Sequence, residues 1–184
     1  MWKNPVSEYK YAIKLFFDED SENLVLAYIN ELRSQGLLNA NFINAQYQPH
    51  ISLAVYPELE QEYSENVLQI LAARFAQFCL NFSHIGIFNA EVKALYLGPT
   101  FSAALRDIHT VLHTLYRERP EKCWHYYLPD NWVPHCGVMI DKDFHNITKG
   151  LDLLITKTLP QVRVTSIAAT GFAQQISYIL KPKK

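Results

Sequence analysis

Apolar positions along the chain switch between a two-residue and a three-to-four-residue spacing, and the switches divide it into strands and helices. "YKYAIKLFF" (9 to 17) is aromatic and partly alternating, which predicts a strand. "DEDSENLVLAYINELRSQGLL" then opens with capping residues and sets Leu24, Tyr28 and Leu32 at helical spacing, so a helix follows. A second strand runs to Tyr56, where Pro57 ends it. Val67, Leu68, Leu71, Phe75 and Phe78 make the stripe of a second helix, and "NFSHIGIFNA" reads as a third strand closing in a turn.

From residue 91 the order begins again. The strand "EVKALYLG" leads to a helix from about Thr100 with Leu105, Ile108, Leu112 and Leu115 on one face, and then to a strand at His135. Asp141 or Asp143 caps a helix carrying Phe144, Ile147, Leu151, Leu154 and Ile155, which Pro160 stops before the strands "VRVTSIAATGF" and "QQISYIL". Both halves therefore read strand, helix, strand, helix, strand, a candidate internal duplication. The tight link "SHIGIFNAEVKALYLG" favours antiparallel or mixed sheet over a doubly wound parallel one. The expectation is a single α+β domain over 1–184. It is bilobal, with pseudo-symmetric halves of approximately 1–89 and 90–184, outer helices and a central cleft.

Composition narrows the function classes. At 49% hydrophobic and 19% charged, the chain has the make-up of a globular domain, and 17 basic against 18 acidic residues give a formal charge of -1. That balance supplies no field for gripping an extended duplex through many phosphates, but leaves room for one small or terminal phosphate. Three cysteines, an odd number without staple-like spacing, point to a reducing, cytoplasmic setting. "YAIKLFF" is broken by Lys14 and too short to span a bilayer, so no membrane association is expected.

The chemistry concentrates in two stretches, "QPHISLAVY" (48 to 56) and "WVPHCGVMI" (132 to 140), each with a proline and a histidine opening a strand. Alternation places Ser52 beside His50 and Gly137 beside His135, with Cys136 on the other face, which disfavours a Cys-His nucleophile pair. If the halves are related by a rough two-fold axis, the two imidazoles oppose one another. Histidine's pKa of about 6.5 lets one ring take a proton while the other gives one. That suits in-line displacement at a phosphodiester without calling on a metal or cofactor, and the Ser52 hydroxyl is placed to donate to a non-bridging oxygen. Position 137 offers no such donor, although a glycine lets a ligand approach the backbone.

Other candidates are weaker. His109 and His113 stand one helical turn apart, a metal-binding spacing, but position 110 is Thr and not the Glu of a metalloprotease helix. Trp124, Tyr126, Tyr127 and Trp132 fall in a long aperiodic segment and offer stacking surface for a nucleobase or anchors for the loop. His84 alternates with Phe82, Gly86 and Phe88 and reads as a half-buried, satisfied ring. Lys10, Lys14, Arg33 and Arg163 are cations that the sequence does not place.

"HISL" (50 to 53) and "HCGV" (135 to 138), their separation, the helix "SAALRDIHTVLHTLY" and the lead-in "WVPH" resemble the two-histidine phosphoesterase superfamily. That superfamily includes the 2'-5' RNA ligase-like proteins and cyclic nucleotide phosphodiesterases, and its mark is a duplicated His-x-Thr/Ser-x motif. The first motif matches fully; the second has Gly137 at the hydroxyl position. The resemblance implies a bilobal α+β fold with a central cleft and a metal-independent reaction on a 2',3'-cyclic phosphate or a 2'-5' linked nucleotide or RNA end. His50, Ser52 and His135 would be the catalytic residues, with Gly137, Trp132 and Tyr127 as candidate substrate contacts. The alternative is a nucleotide- or RNA-end-binding module of the same fold in which the glycine has weakened turnover.

Overall fold

In the computed structural model, which describes residues 9–38, 47–117 and 122–182, the first alternating segment forms β1 (Tyr11–Phe17). Ile13, Leu15 and Phe17 are buried in the core, and Ala12, Lys14 and Phe16 share the other face. Asp18 caps α1 (Glu19–Ser34) by accepting from the Ser21 N–H at 3.0 Å. The buried stripe of α1 is Ser21, Val25, Ile29 and Leu32. Leu32 is buried as expected, whereas Leu24 is 49% exposed and the β-branched Val25 and Ile29 take the core positions ahead of it.

β2 (His50–Tyr56) and α2 (Gln61–Arg74) follow, then β3 (Phe78–Phe88) and β4 (Lys93–Pro99). Helix α2 stops before Phe75, whose backbone is extended, so Phe78 opens β3 and does not belong to the helix. Ser102 caps α3 (Ala103–Leu115), and a single 3-10 turn (His125–Tyr127) precedes β5 (Cys136–Asp141). Asp143 caps α4 (Phe144–Leu154), and β6 (Gln161–Thr170) and β7 (Ile176–Ile179) complete the chain. On α4, Ile147 and Leu154 are buried, whereas Phe144 and Ile155, at its two ends, are exposed.

The protein is thus a mixed α+β fold with four α-helices among the described residues and one seven-stranded antiparallel sheet. The strand order is β2-β1-β6-β3-β4-β5, with β7 paired to β6. Matching β1 with β4, β2 with β5 and β3 with β6 makes this order read the same from either end. The long strand β3 serves two neighbours, pairing with β6 through Phe78–Asn81 and with β4 from Phe82 onward. A register shift between Phe82 and His84 turns the alternation over there: Phe82 is buried and His84 is exposed, bonded to Ser83 Oγ at 3.2 Å. His84 is therefore not the half-buried ring that simple alternation implies.

Helix α1 packs on α4 and α2 on α3, and the edge strands β2 and β5 come into contact although they end the sheet order. The sheet coils far enough to bring its two ends together, which is how positions 50 and 135 meet. No helix among the described residues is long and apolar enough to cross a membrane.

Candidate active site

His50 opens β2 and His135 immediately precedes β5, so the meeting of these edges sets the two Pro-His stretches side by side. Several contacts cross between them. The Tyr47 hydroxyl, three residues before His50, donates to the Gly137 carbonyl at 2.7 Å. Trp132 Nε1, three residues before His135, donates to the Ser52 carbonyl at 3.0 Å. The Tyr127 hydroxyl neighbours Ser52, and the Cys136 thiol lies near the His50 backbone and Tyr47. Each motif is therefore held by groups belonging to the other.

The two rings are oriented identically. His50 Nδ1 lies 2.7 Å from the Gln48 carbonyl, and His135 Nδ1 lies 2.7 Å from the Val133 carbonyl. A carbonyl only accepts, so Nδ1 carries the hydrogen in both rings and Nε2 is left with its lone pair for chemistry. Aromatic walls fix the ring planes: Phe16 and Tyr47 at 5.8 and 5.6 Å from His50, and Phe88 and Tyr96 at 4.7 and 5.5 Å from His135. Tyr96 in turn lies across Gly86, where an added Cβ would press on the far end of its ring.

Electrostatics distinguish the rings. Burial, then the Lys14 charge and the His135 ring, pull His50 down to about 3, while burial lowers His135 from its ordinary value. Both are neutral at physiological pH in the ligand-free protein. Lys14 shares the site face, since β1 registers it opposite Ser52 and Phe16 opposite His50. Cys136 is fully buried with its thiol pushed up to about 12, which agrees with its pointing away from the chemistry.

The structure brings His50, Ser52, His135, Gly137 and Tyr127 together. A Cβ built at Gly137 would meet only the Tyr47 hydroxyl, at 3.8 Å, so the glycine leaves open room on the site face. Trp132 departs from the expected substrate contact. It is 8% exposed and stacks on His109 with centroids 3.7 Å apart, with Phe101 edge-on to it, so neither face is offered to a base. His109 Nε2 donates to the Tyr127 carbonyl at 3.0 Å, so it braces the loop behind the site. Among the described residues no three His, Cys, Asp or Glu side chains form a metal-binding group. Sequence reasoning left Lys14, Tyr47, Phe88 and Tyr96 unassigned; a lone charge inside the apolar strand "YAIKLFF" was the available signal for the first.

Residues 21–167 match the 2'-5' RNA ligase superfamily. The chain belongs to that superfamily. Solved structures of members of this fold align over nearly the whole molecule. A phosphoesterase structure superposes with TM-score 0.57 at 16% identity, covering 95% of this chain and 99% of its own. LigT of E. coli, complexed with 3'-AMP, gives 0.56 at 14%, covering 95% and 99%. Usb1 of Kluyveromyces marxianus, with uridine monophosphate, gives 0.51 at 15%, covering 94% and 99%. A comparison with curated proteins finds no sequence match. At these identities the superpositions establish the shared fold of the superfamily.

Proposed function

We propose that this member of the 2'-5' RNA ligase superfamily is a phosphodiesterase that opens a 2',3'-cyclic phosphate or cleaves a 2'-5' linkage at a nucleotide or RNA end. The observation that carries the reading is the matched pair of imidazoles, each with Nδ1 committed to the carbonyl two residues back and Nε2 free. A pair so held supplies a base on one side of a phosphorus atom and an acid on the other. Nucleotides in the structures of LigT and Usb1 support a ligand of this class.

The asymmetry between the rings distributes the roles. The Lys14 cation disfavours a proton on His50, so His50 is the base that accepts a proton at Nε2 from the attacking water or hydroxyl, and His135, which takes up a second proton at Nε2 from solvent as the anion binds, is the acid that passes that proton to the departing oxygen. Ser52, beside Tyr127, donates to a non-bridging oxygen as charge gathers there. Proton transfers and hydrogen bonds account for the step with no call on a metal. Free thiols at Cys79, Cys123 and Cys136 suit a reducing, cytoplasmic compartment.

The test is hydrolysis of 2',3'-cyclic nucleotides by wild type, His50→Ala and His135→Ala, with an expected loss on the order of 10²- to 10⁴-fold for each. Turnover that survives both substitutions refutes the reading. Gly137 supports a second one, a nucleotide-binding module with weakened turnover; tight 3'-AMP binding by a wild type that does not hydrolyse the 2',3'-cyclic nucleotide favours it.

A further inference from the structure

β1 packs its apolar side chains into the core, yet carries one charged residue, Lys14, on the face that holds His50 and Ser52. Lys14 is half-buried, its neighbours in register are Ser52 and Ala168, and burial lowers its pKa. The ion pairs among the described residues join Arg106 to Asp107, Lys122 to Glu58, Lys157 to Glu31 and Arg163 to Asp18, and none reaches Lys14. A desolvated ammonium without a counter-charge destabilises the fold, and an anion arriving at the site offsets that cost. The only anion the proposed chemistry brings to this face is the phosphate.

We propose that Lys14 is a substrate-binding residue whose ammonium contacts the non-bridging oxygens of the phosphate between the two histidines. The assignment rests on the phosphodiester reading and deepens it. Lys14 supplies from β1 the anion stabilisation that a hydroxyl at position 137 would have supplied from β5, and the open space at Gly137 leaves the phosphate free to settle toward the Lys14 side. A full positive charge is a stronger partner for developing phosphate charge than a neutral hydroxyl.

The experiment measures inorganic phosphate binding by calorimetry, and the histidine ring signals by NMR, for wild type, Lys14→Met and Lys14→Arg. Methionine keeps the length and apolar stem, so the strand is preserved, and arginine keeps the charge. Lys14→Met weakens phosphate binding by about tenfold or more and raises KM for a cyclic nucleotide by a similar factor, while Lys14→Arg stays within about threefold of wild type. The groups acting on His50 are Lys14 from β1, the Gln48 carbonyl and the His135 ring, with no carboxylate among them, so Lys14→Met also moves the His50 titration to higher pH. That shift reports only that Lys14 stands near His50; the loss of phosphate affinity is the readout that a merely structural lysine does not move. Equal phosphate affinity in wild type and Lys14→Met, with both histidine signals still responding, overturns the Lys14 assignment alone. Phosphate that disturbs neither histidine in the wild type overturns the two-histidine reading and the assignment with it.

Discussion

Phosphate binding should retune His50. In the free protein the ring sits at about 3, so carrying half a proton at pH 7 requires about 5 kcal/mol at roughly 1.36 kcal/mol per unit. One negative charge about 4 Å away, at an effective dielectric near 20, offers about 4 kcal/mol. That raises the ring by about three units, to about 6. The bound anion therefore brings His50 close to the working pH of a general base without protonating it at neutrality. An NMR titration of the ring with and without inorganic phosphate measures the shift directly. The sign follows from linkage: because binding raises the pKa, phosphate affinity through this ring rises as pH falls from about 6 toward 3 and is nearly flat above about 7. A free ring that titrates near 6.5 refutes the burial on which the reasoning rests. A ring that titrates identically with saturating phosphate refutes the placement of the anion.

Two further outcomes follow from neighbouring positions. His109, 3% exposed, has its pKa lowered to about 3, first by burial and then by His113, below its unfolded value of about 6.5. Its stabilisation is present above pH 6.5 and is lost as pH falls, by about 2 kcal/mol between pH 8 and pH 5. His109→Phe keeps the stack on Trp132 and removes that loss, so urea unfolding of both proteins at both pH values should differ in pH dependence by that amount; equal dependence contradicts it. At Gly137→Ser the new Cβ meets the Tyr47 hydroxyl at an ordinary 3.8 Å, so stability should change by less than about 1 kcal/mol. If position 137 lies against the phosphate, kcat on a cyclic nucleotide rises by about tenfold or more. An unchanged kcat in a folded protein shows that the position does not touch the developing charge.

The strand-helix order was legible because each element carries its own period, and two N-caps, Asp18 in the capping stretch and Asp143, were legible because aspartate accepts from a first-turn N–H, whereas the cap at Ser102 lies two residues beyond the expected start at about Thr100. Phe78 was misplaced because helix α2 and strand β3 are both apolar where they meet, and only the extended backbone from Phe75 separates them. His84 was misjudged because a register shift is a property of two strands, invisible in either alone. Trp132 was misjudged for a related reason: its ring belongs to a contact with His109 on another element, and an aromatic residue in a loop reads the same whether it faces a ligand or a helix. Lys14 was visible as an oddity, but that no ion pair among the described residues reaches it is a property of the folded surface.

What the repeated Pro-His pair encodes can now be stated physically. In Gln48-Pro49-His50 and Val133-Pro134-His135 the proline fixes φ near -65° and holds the preceding residue extended, which presents that residue's carbonyl to the ring two positions on. The result in both copies is the same 2.7 Å bond to Nδ1 and the same free Nε2. The hydroxyl two residues after the histidine is present in one copy and absent from the other, whereas the bond that sets the ring is present in both. A two-proton mechanism depends absolutely on which nitrogen of each ring faces the phosphorus, and only incrementally on how many donors stabilise the charge. The shared feature of the two motifs is therefore the one the chemistry cannot do without, and the feature that differs is the one a neighbouring cation such as Lys14 is able to replace.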